Sequence, residues 1–338
     1  MQSPVPQLVL STTPFQKRPV DTPMIMRHVI YSLVPVMLAA IYFFGISALL
    51  IMLTCVLGCT LTEWFFDRGT DTSLKDGSAV LTALLLALTL PPGLPLWMAF
   101  AGAVIAILLG KVLFGGLGQN VFNPSLTGRA FLQASFPVPI TTWAPNGGLE
   151  NFFSLRGDLF ALPFTKPQFD AISAATPLAE MKFDSHATQL LHLLLGSTTG
   201  SLGETSALLI LIGGAYLALR RFLNWRVPLG IFIAVFIMGT VLHGINPDKF
   251  PTGMFHLFSG GLMLGAVFMA TDPVTSPVTP LGSWIFAFGI GILVVLIREF
   301  GGLTEGVMYS ILFMNALTPL IDRFTQPRTY GTVKRESE

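Results

Sequence analysis

Charge is what this sequence has least of. Lys, Arg, Asp and Glu together make up 11% of 338 residues, less than half of the roughly 25% usual in a soluble domain. Polar surface is too scarce to cover a water-soluble fold. With 52% hydrophobic residues the chain reads as a polytopic membrane protein. A net charge of +1 offers no handle on nucleic acid. Cysteine is nearly absent. Cys55 and Cys59 lie four apart in an apolar run, share a helix face and make no C-x-x-C pair. They read as small core- or lipid-facing residues, so the chain holds neither a disulfide framework nor an iron–sulfur cluster on its own cysteines. No G-x-G-x-x-G and no Walker A pattern occurs, which excludes a dinucleotide-binding Rossmann domain within this chain. The five histidines are scattered without metal-site spacing, and no metal ligand is assigned. Residues 1–28 are polar, carry four prolines before position 20 and have no apolar core. A cleaved signal peptide is therefore not expected, and the first membrane helix should also target the chain.

What is present is long apolar runs. A span needs about 20 apolar residues. Full spans are expected at 29–45, 47–66, 95–113, 204–220, 227–244, 254–270, 281–298 and 303–321. Two runs are too short to cross alone. Residues 78–90 stop at Pro91-Pro92-Gly93, and residues 124–136 start after Asn123 and stop at Pro137. The expected fold is all-α, with about ten membrane segments, two of them short or broken. Phe114-Gly115-Gly116-Leu117 recurs as Phe300-Gly301-Gly302-Leu303, each copy preceded by a basic residue, Lys111 or Arg298. The offset is five segments, an odd number. That is the pattern of two inverted five-segment repeats.

Lys and Arg set the orientation. With the N-terminus inside, thirteen of nineteen fall on the cytoplasmic side and five outside: Arg156, Lys166, Lys182, Lys249 and Arg298. Arg129 falls within a segment. The expected organisation is a cytoplasmic segment 1–28, a first membrane repeat 29–136, an external loop 137–203, a second repeat 204–322 and a cytoplasmic tail 323–338. Trp64, Trp97, Trp225 and Trp284 sit at segment ends, and Trp143 just beyond one, as interfacial residues do.

Three groups could carry chemistry. The first is Asp170-Ala171-Ile172-Ser173-Ala174-Ala175-Thr176-Pro177 in the external loop. Small side chains lead to one hydroxyl, and Pro177 biases Thr176 to an extended conformation. This describes an attachment site, and it equally describes an ordinary small-residue turn. The second is the glycine-rich run from Gly115 into Asn123-Pro124, with Asn123 as N-cap and Pro124 as first helical residue. Such a helix start inside the bilayer could hold an anion or a ring carbonyl through its free N–H groups, with Asn120, Asn123 and Arg129 as the polar side chains. The other reading is structural: glycines for close packing, and Arg129 paired to a carboxylate or to carbonyls. The third is Asp272 and Glu305, acids that could serve an ion path or be helix caps and loop residues.

Together these features resemble a known family. Residues 170–176 look like the flavinylation motif D-x-x-S-[GA]-A-T, in which a threonine carries FMN through a phosphoester bond. With the Gly115–Arg129 run and the ten-segment pattern, the chain resembles the D subunit of Rnf complexes and the related B subunit of Na⁺-translocating NADH:quinone reductases over residues 20–322. Ala174 stands where the relative usually has glycine. The short N-terminus favours the Rnf side. The resemblance implies FMN on Thr176, with Asp170, Ser173, Ala174 and Ala175 as motif residues and a flavin transferase as the attaching enzyme. It suggests a second, non-covalent riboflavin in the membrane part. It implies an inner-membrane complex that exchanges electrons between ferredoxin and NAD⁺, coupled to Na⁺ or H⁺ movement. The implied partners are the A and E membrane subunits, the flavin-bearing G component and the B and C iron–sulfur subunits. The competing expectations are a small-solute channel or transporter of inverted-repeat type, and a purely structural scaffold subunit.

Overall fold

A computed structural model describes residues 21–66, 74–144, 147–148, 152–163, 175–184, 188–196, 198–204, 206–247 and 249–327. The first half runs through α1 (Thr22–Phe44), α2 (Ile46–Phe66), α3 (Ser78–Leu88), α4 (Leu96–Gly110) and α5 (Pro124–Ser135). A polar stretch follows with α6 (Pro137–Thr141), α7 (Pro177–Asp184) and α8 (Leu190–Leu195). The second half comprises α9 (Ala207–Leu219), α10 (Arg226–Ile245), α11 (Gly253–Phe258), α12 (Leu262–Leu264) leading into a π turn at Gly265–Met269, α13 (Pro280–Phe300) and α14 (Val307–Thr325). Among the described residues there is no strand.

Lipid offers no hydrogen bonds, so an apolar run must satisfy its backbone within itself, and the helix does this. Among the described residues, five helices are long and apolar enough to cross a membrane: α1, α2, α4 with its 3₁₀ extension to Phe114, α10 and α13. The chain is an all-α polytopic membrane protein. Gly45 joins α1 to α2 with φ +65°, a conformation that L side chains rarely adopt. A Cβ there would lie 2.3 Å from the Phe152 carbonyl oxygen, which the Ile46 N–H engages at 2.9 Å.

The packing order repeats. α2 packs on α3 and α4, and α4 on α5; α10 packs on α11 and α13, and α13 on α14. The halves meet where α1 touches α9 and α5 touches α14. The basic residue near the end of each central helix is buried and used inside its own half. Lys111 donates to Ser78 Oγ at 2.6 Å and pairs with Glu63. Arg298 donates to the carbonyls of His256 at 2.6 Å and Ser259 at 2.9 Å.

The structure corrects several expected boundaries. The run 254–270 is not a continuous span. It breaks at Ser259–Gly261, where Gly260 takes φ +66° and a Cβ would meet Leu178 Cδ1 at 2.6 Å. The run 204–220 yields only 13 helical residues: Leu202 and Gly203 form a turn whose N–H groups donate to the carbonyls of Leu90 and Leu88, and α9 starts only at its cap, Ser206. The first helix starts at Thr22 rather than near 29, with Pro23 in its first turn. Lys111 and Arg298, counted as boundary charges, are 3% and 2% exposed.

Candidate functional site

The start of α5 is built as the sequence suggests. Asn123 Oδ1 accepts from Ser125 N at 3.0 Å and Ser125 Oγ at 2.6 Å. Its Nδ2 donates to the Met269 carbonyl at 3.1 Å, at the end of the π turn. One side chain thus closes the N-terminus of α5 and ties it to the broken helix of the other half. Buried Asn120 donates to the Phe122 carbonyl at 3.2 Å. Asp272 accepts from Val274 N at 3.4 Å and Thr275 Oγ1 at 3.2 Å, so it closes the turn after the π segment. Asn120, Asn123, Asp272 and Lys111 line one cavity of about 80 Å³.

Arg129 belongs elsewhere. Six residues along α5 it is ~9 Å further on and turned by about 240°, so it points away from the Asn123 side. One guanidinium nitrogen donates to the Thr89 carbonyl, the C-cap of α3, and the other pairs with Glu305. Arg129 thereby joins α3, α5 and the loop before α14. Both structural partners that the sequence left open, a carbonyl and a carboxylate, are used.

Arg129 and Glu305 line a larger cavity, about 350 Å³, walled by residues of both halves and of the polar stretch. Trp143, Phe183 and Tyr309 contribute its aromatic surface. Thr176 opens onto it from the N-terminus of α7. Thr176 Oγ1 accepts from Ala179 N at 3.3 Å, the bond of a helix N-cap. Pro177 is the first helical residue, as its fixed φ favours. Thr199 Oγ1 donates to the Ala175 carbonyl at 2.8 Å and pins the approach from below. Thr176 is 3% exposed. α7 is anchored to the second half by Lys182, whose ammonium donates to the carbonyls of Arg298 at 2.7 Å and Gly301 at 2.6 Å. Burial pushes that ammonium below the ordinary lysine range, and the charge of Glu299 opposes the shift. Leu178 packs with Leu193 and Phe255.

The structure therefore regroups the expected residues. Thr176, Arg129 and Glu305 share one cavity; Asn120, Asn123 and Asp272 share the other. Ala175 is described and exposed, while Asp170, Ser173 and Ala174 lie outside the described residues. Two polar groups stand outside the candidate sites read from the sequence. Glu63 pairs with Lys111 across 48 positions, which no local pattern announces. Glu204 lines the large cavity; its one signal is an acid set just after a glycine and before an apolar run. Cys55 and Cys59 are buried and free, and Cys59 Sγ donates to the Ala103 carbonyl at 3.5 Å, in keeping with small packing residues.

Comparison with known proteins gives a consistent outcome. The model of the family described as NQR2, RnfD, RnfE matches residues 9–331. The chain is 42% identical over 332 residues to the D subunit of the ion-translocating oxidoreductase complex of Stutzerimonas stutzeri, covering 91% of each chain. It is 40% identical over 335 residues to the D subunit of the proton-translocating ferredoxin:NAD(+) oxidoreductase complex of Clostridium ljungdahlii, covering 96% of each. It is 40% identical over 337 residues to the D subunit of the Na(+)-translocating ferredoxin:NAD(+) oxidoreductase complex of Acetobacterium woodii, covering 98% of each.

Proposed function

The chain belongs to the NQR2, RnfD, RnfE family, and from that premise we propose that it is the flavin-carrying membrane subunit of an ion-translocating ferredoxin:NAD oxidoreductase complex. It conducts electrons and is not the NAD-binding subunit. FMN is joined to Thr176 by a phosphoester bond that a flavin transferase makes. The chain sits in a bacterial inner membrane with both termini cytoplasmic and Thr176 on the periplasmic side. Its partners are the A and E membrane subunits, the flavin-bearing G component and the B and C iron–sulfur subunits.

The observation that carries this reading is the Thr176 hydroxyl at the edge of the 350 Å³ cavity. That volume lies within the ~300–1,000 Å³ of ordinary small-molecule pockets, and the residues present fit the group. Among the described residues Thr176 Oγ1 acts as an acceptor, from Ala179 N, so esterification would consume its O–H without removing a donor the helix uses. A phosphate at that oxygen would sit at the N-terminus of α7, where the helix dipole favours negative charge. Trp143 and Tyr309 offer flat apolar surface for a ring. When bound, FMN supplies one-electron chemistry; the protein positions it and sets its electrostatic surroundings. The phosphoester tether abolishes the dissociation equilibrium, which matters in a compartment without free flavin. Because Thr176 is nearly buried, the transferase must act before this stretch closes, or through the mouth of the cavity.

A non-covalent riboflavin is a different matter. The cavity at Asn120 and Asn123 measures about 80 Å³, well under the ~300 Å³ of ordinary ligand sites. In this arrangement its lining does not accommodate three fused rings.

The test is direct. The protein co-expressed with a flavin transferase, denatured and run on a gel, should fluoresce under ultraviolet light. Thr176→Val should abolish the band while the protein stays in the membrane. A surviving band would sink the Thr176 assignment. Absence of flavin from the wild-type chain would favour a small-solute transporter, and unchanged electron transfer in Thr176→Val would favour a scaffold.

A further inference from the structure

The cavity that Thr176 opens onto has an imbalance of charge. The charged side chains lining it are Arg129, Glu204 and Glu305. Arg129 is committed to Glu305 and to the Thr89 carbonyl. Glu204 has no cation of its own among the described residues. Its Oε2 accepts from Ser201 N at 3.2 Å, and its Oε1 is buried without a hydrogen-bond partner. Glu305 Oε1 is likewise buried and unpartnered. Glu204, Glu305 and Thr176 also meet at a second, smaller cavity beside the first.

The Glu204 carboxylate sits in a socket of fixed shape. A Cβ at Gly200 would lie 2.6 Å from its Oε2, and one at Gly261 would lie 3.2 Å from its Oε1. Two glycines from opposite sides make room for it. Gly261 belongs to the break between α11 and α12. The neighbours Leu202 and Gly203 are held by the end of α3. An ionised carboxylate is held best by donors at both oxygens; here, among the described residues, the donors come from Ser201 alone, its N–H on Oε2 and its hydroxyl close by, and Oε1 has none.

We infer that Glu204 is the proton-holding residue for the redox group on Thr176, taking up one proton when that group is reduced and releasing it on oxidation. The inference rests on the FMN reading above. The electron comes from an iron–sulfur or flavin carrier of the complex, and the proton enters from bulk solvent through the mouth of the cavity and returns there on oxidation. One O–H bond forms at Glu204 Oε1 as one electron arrives and breaks as it leaves, so the cavity gains no net charge. The groups facing Glu204 do not replace it in this role. Arg129 is paired, Glu305 holds Arg129, and Tyr309 is a phenol on α14. Arg298 on α13 interacts with Glu204 electrostatically but is tied to two carbonyls. Glu204 is a positioning residue for charge, acting through the field it places on the group.

The experiment is a redox titration of the flavin on Thr176 in the intact purified complex across pH, for wild type, Glu204→Gln and Glu204→Asp. Equal fluorescence of the denatured bands establishes equal loading first. A missing wild-type band at that stage would be a failure of the FMN reading and not of this inference. The Glu204→Gln midpoint potential should match wild type at low pH and rise above it as pH increases, because only the wild type becomes ionised. Glu204→Asp should restore the wild-type pH dependence. A gap that is constant across pH would mean a fixed charge, and no gap would mean a purely structural carboxyl; either overturns the inference. Reduced-minus-oxidised infrared spectra supply an independent readout should Glu204→Gln fail to accumulate. The wild type should gain a protonated-carboxyl band on reduction, and a spectrum without one would also overturn it.

Discussion

Arg129 shows how one residue can hold the two halves together. Its guanidinium reaches a carbonyl on α3 and a carboxylate 176 positions away. Its side chain is 9% exposed and that of Glu305 21%. Removing one partner leaves the other charged and poorly solvated, which costs ~3–5 kcal/mol for a buried pair. Arg129→Leu should therefore lower thermal stability in detergent sharply. Arg129→Leu combined with Glu305→Leu should lose less than the sum of the single changes. Arg129→Lys should behave more like Leu than like Arg, because an ammonium does not span both acceptors in a fork. A double mutant as damaging as the sum would show that the pair does not act as a unit.

At the scale of elements, the short helices are placed by caps and close approaches. Asn123→Ala removes the cap of α5, worth ~0.5–2 kcal/mol, together with the bond to Met269. Asn123→Ser should retain the cap but not the bridge, and fall between Ala and wild type in melting temperature. Helix pairs within each half meet through glycine, the usual device where no hydrophobic driving force pulls helices together. A methyl at Gly128 would lie 2.7 Å from Ala106 Cβ, and one at Gly291 would lie 2.5 Å from Ala234 Cβ. Gly128→Ala and Gly291→Ala should each destabilise by about 1–3 kcal/mol through overpacking. Gly244→Ala, in α10 with nothing within 4 Å of its Cβ, should instead be neutral or stabilising by up to about 1 kcal/mol. Equal melting temperatures across the three would remove close packing as the explanation.

For the whole molecule, the two acids expected on an ion path lie in different cavities and hold different bonds. Asp272 closes a turn, and Glu305 pairs with Arg129. Neutralising either should reduce ion pumping more than electron transfer, measured together in sealed vesicles. Equal loss of both activities would assign the residue to folding. The chain is 40% identical both to a relative named as proton-translocating and to one named as Na⁺-translocating. Overall similarity therefore does not select the ion. Na⁺ dependence of transport by the intact complex is the measurement that decides it.

Sequence alone determined much of the frame. Apolar runs without partners in lipid must become helices, so α1, α2, α4, α10 and α13 were legible from length and composition. Asn123-Pro124 announced the start of α5 through local cap chemistry, and the recurring Phe-Gly-Gly-Leu pointed to the repeated packing order. The motif singled out Thr176 as an attachment point, and the structure places that residue at the start of α7 beside a cavity. Other features depended on partners far along the chain. The break at Ser259–Gly261 looks apolar enough to span, and Leu178 and Arg298 packed against it mark where the helix stops. Only tertiary structure separated Arg129 from Asn123 and brought it to Thr176. Only tertiary structure placed Glu204 in a glycine socket beside them. Helix periodicity and capping act within a turn or two, whereas these sites are made by contacts across the two halves, and no local rule carries that information.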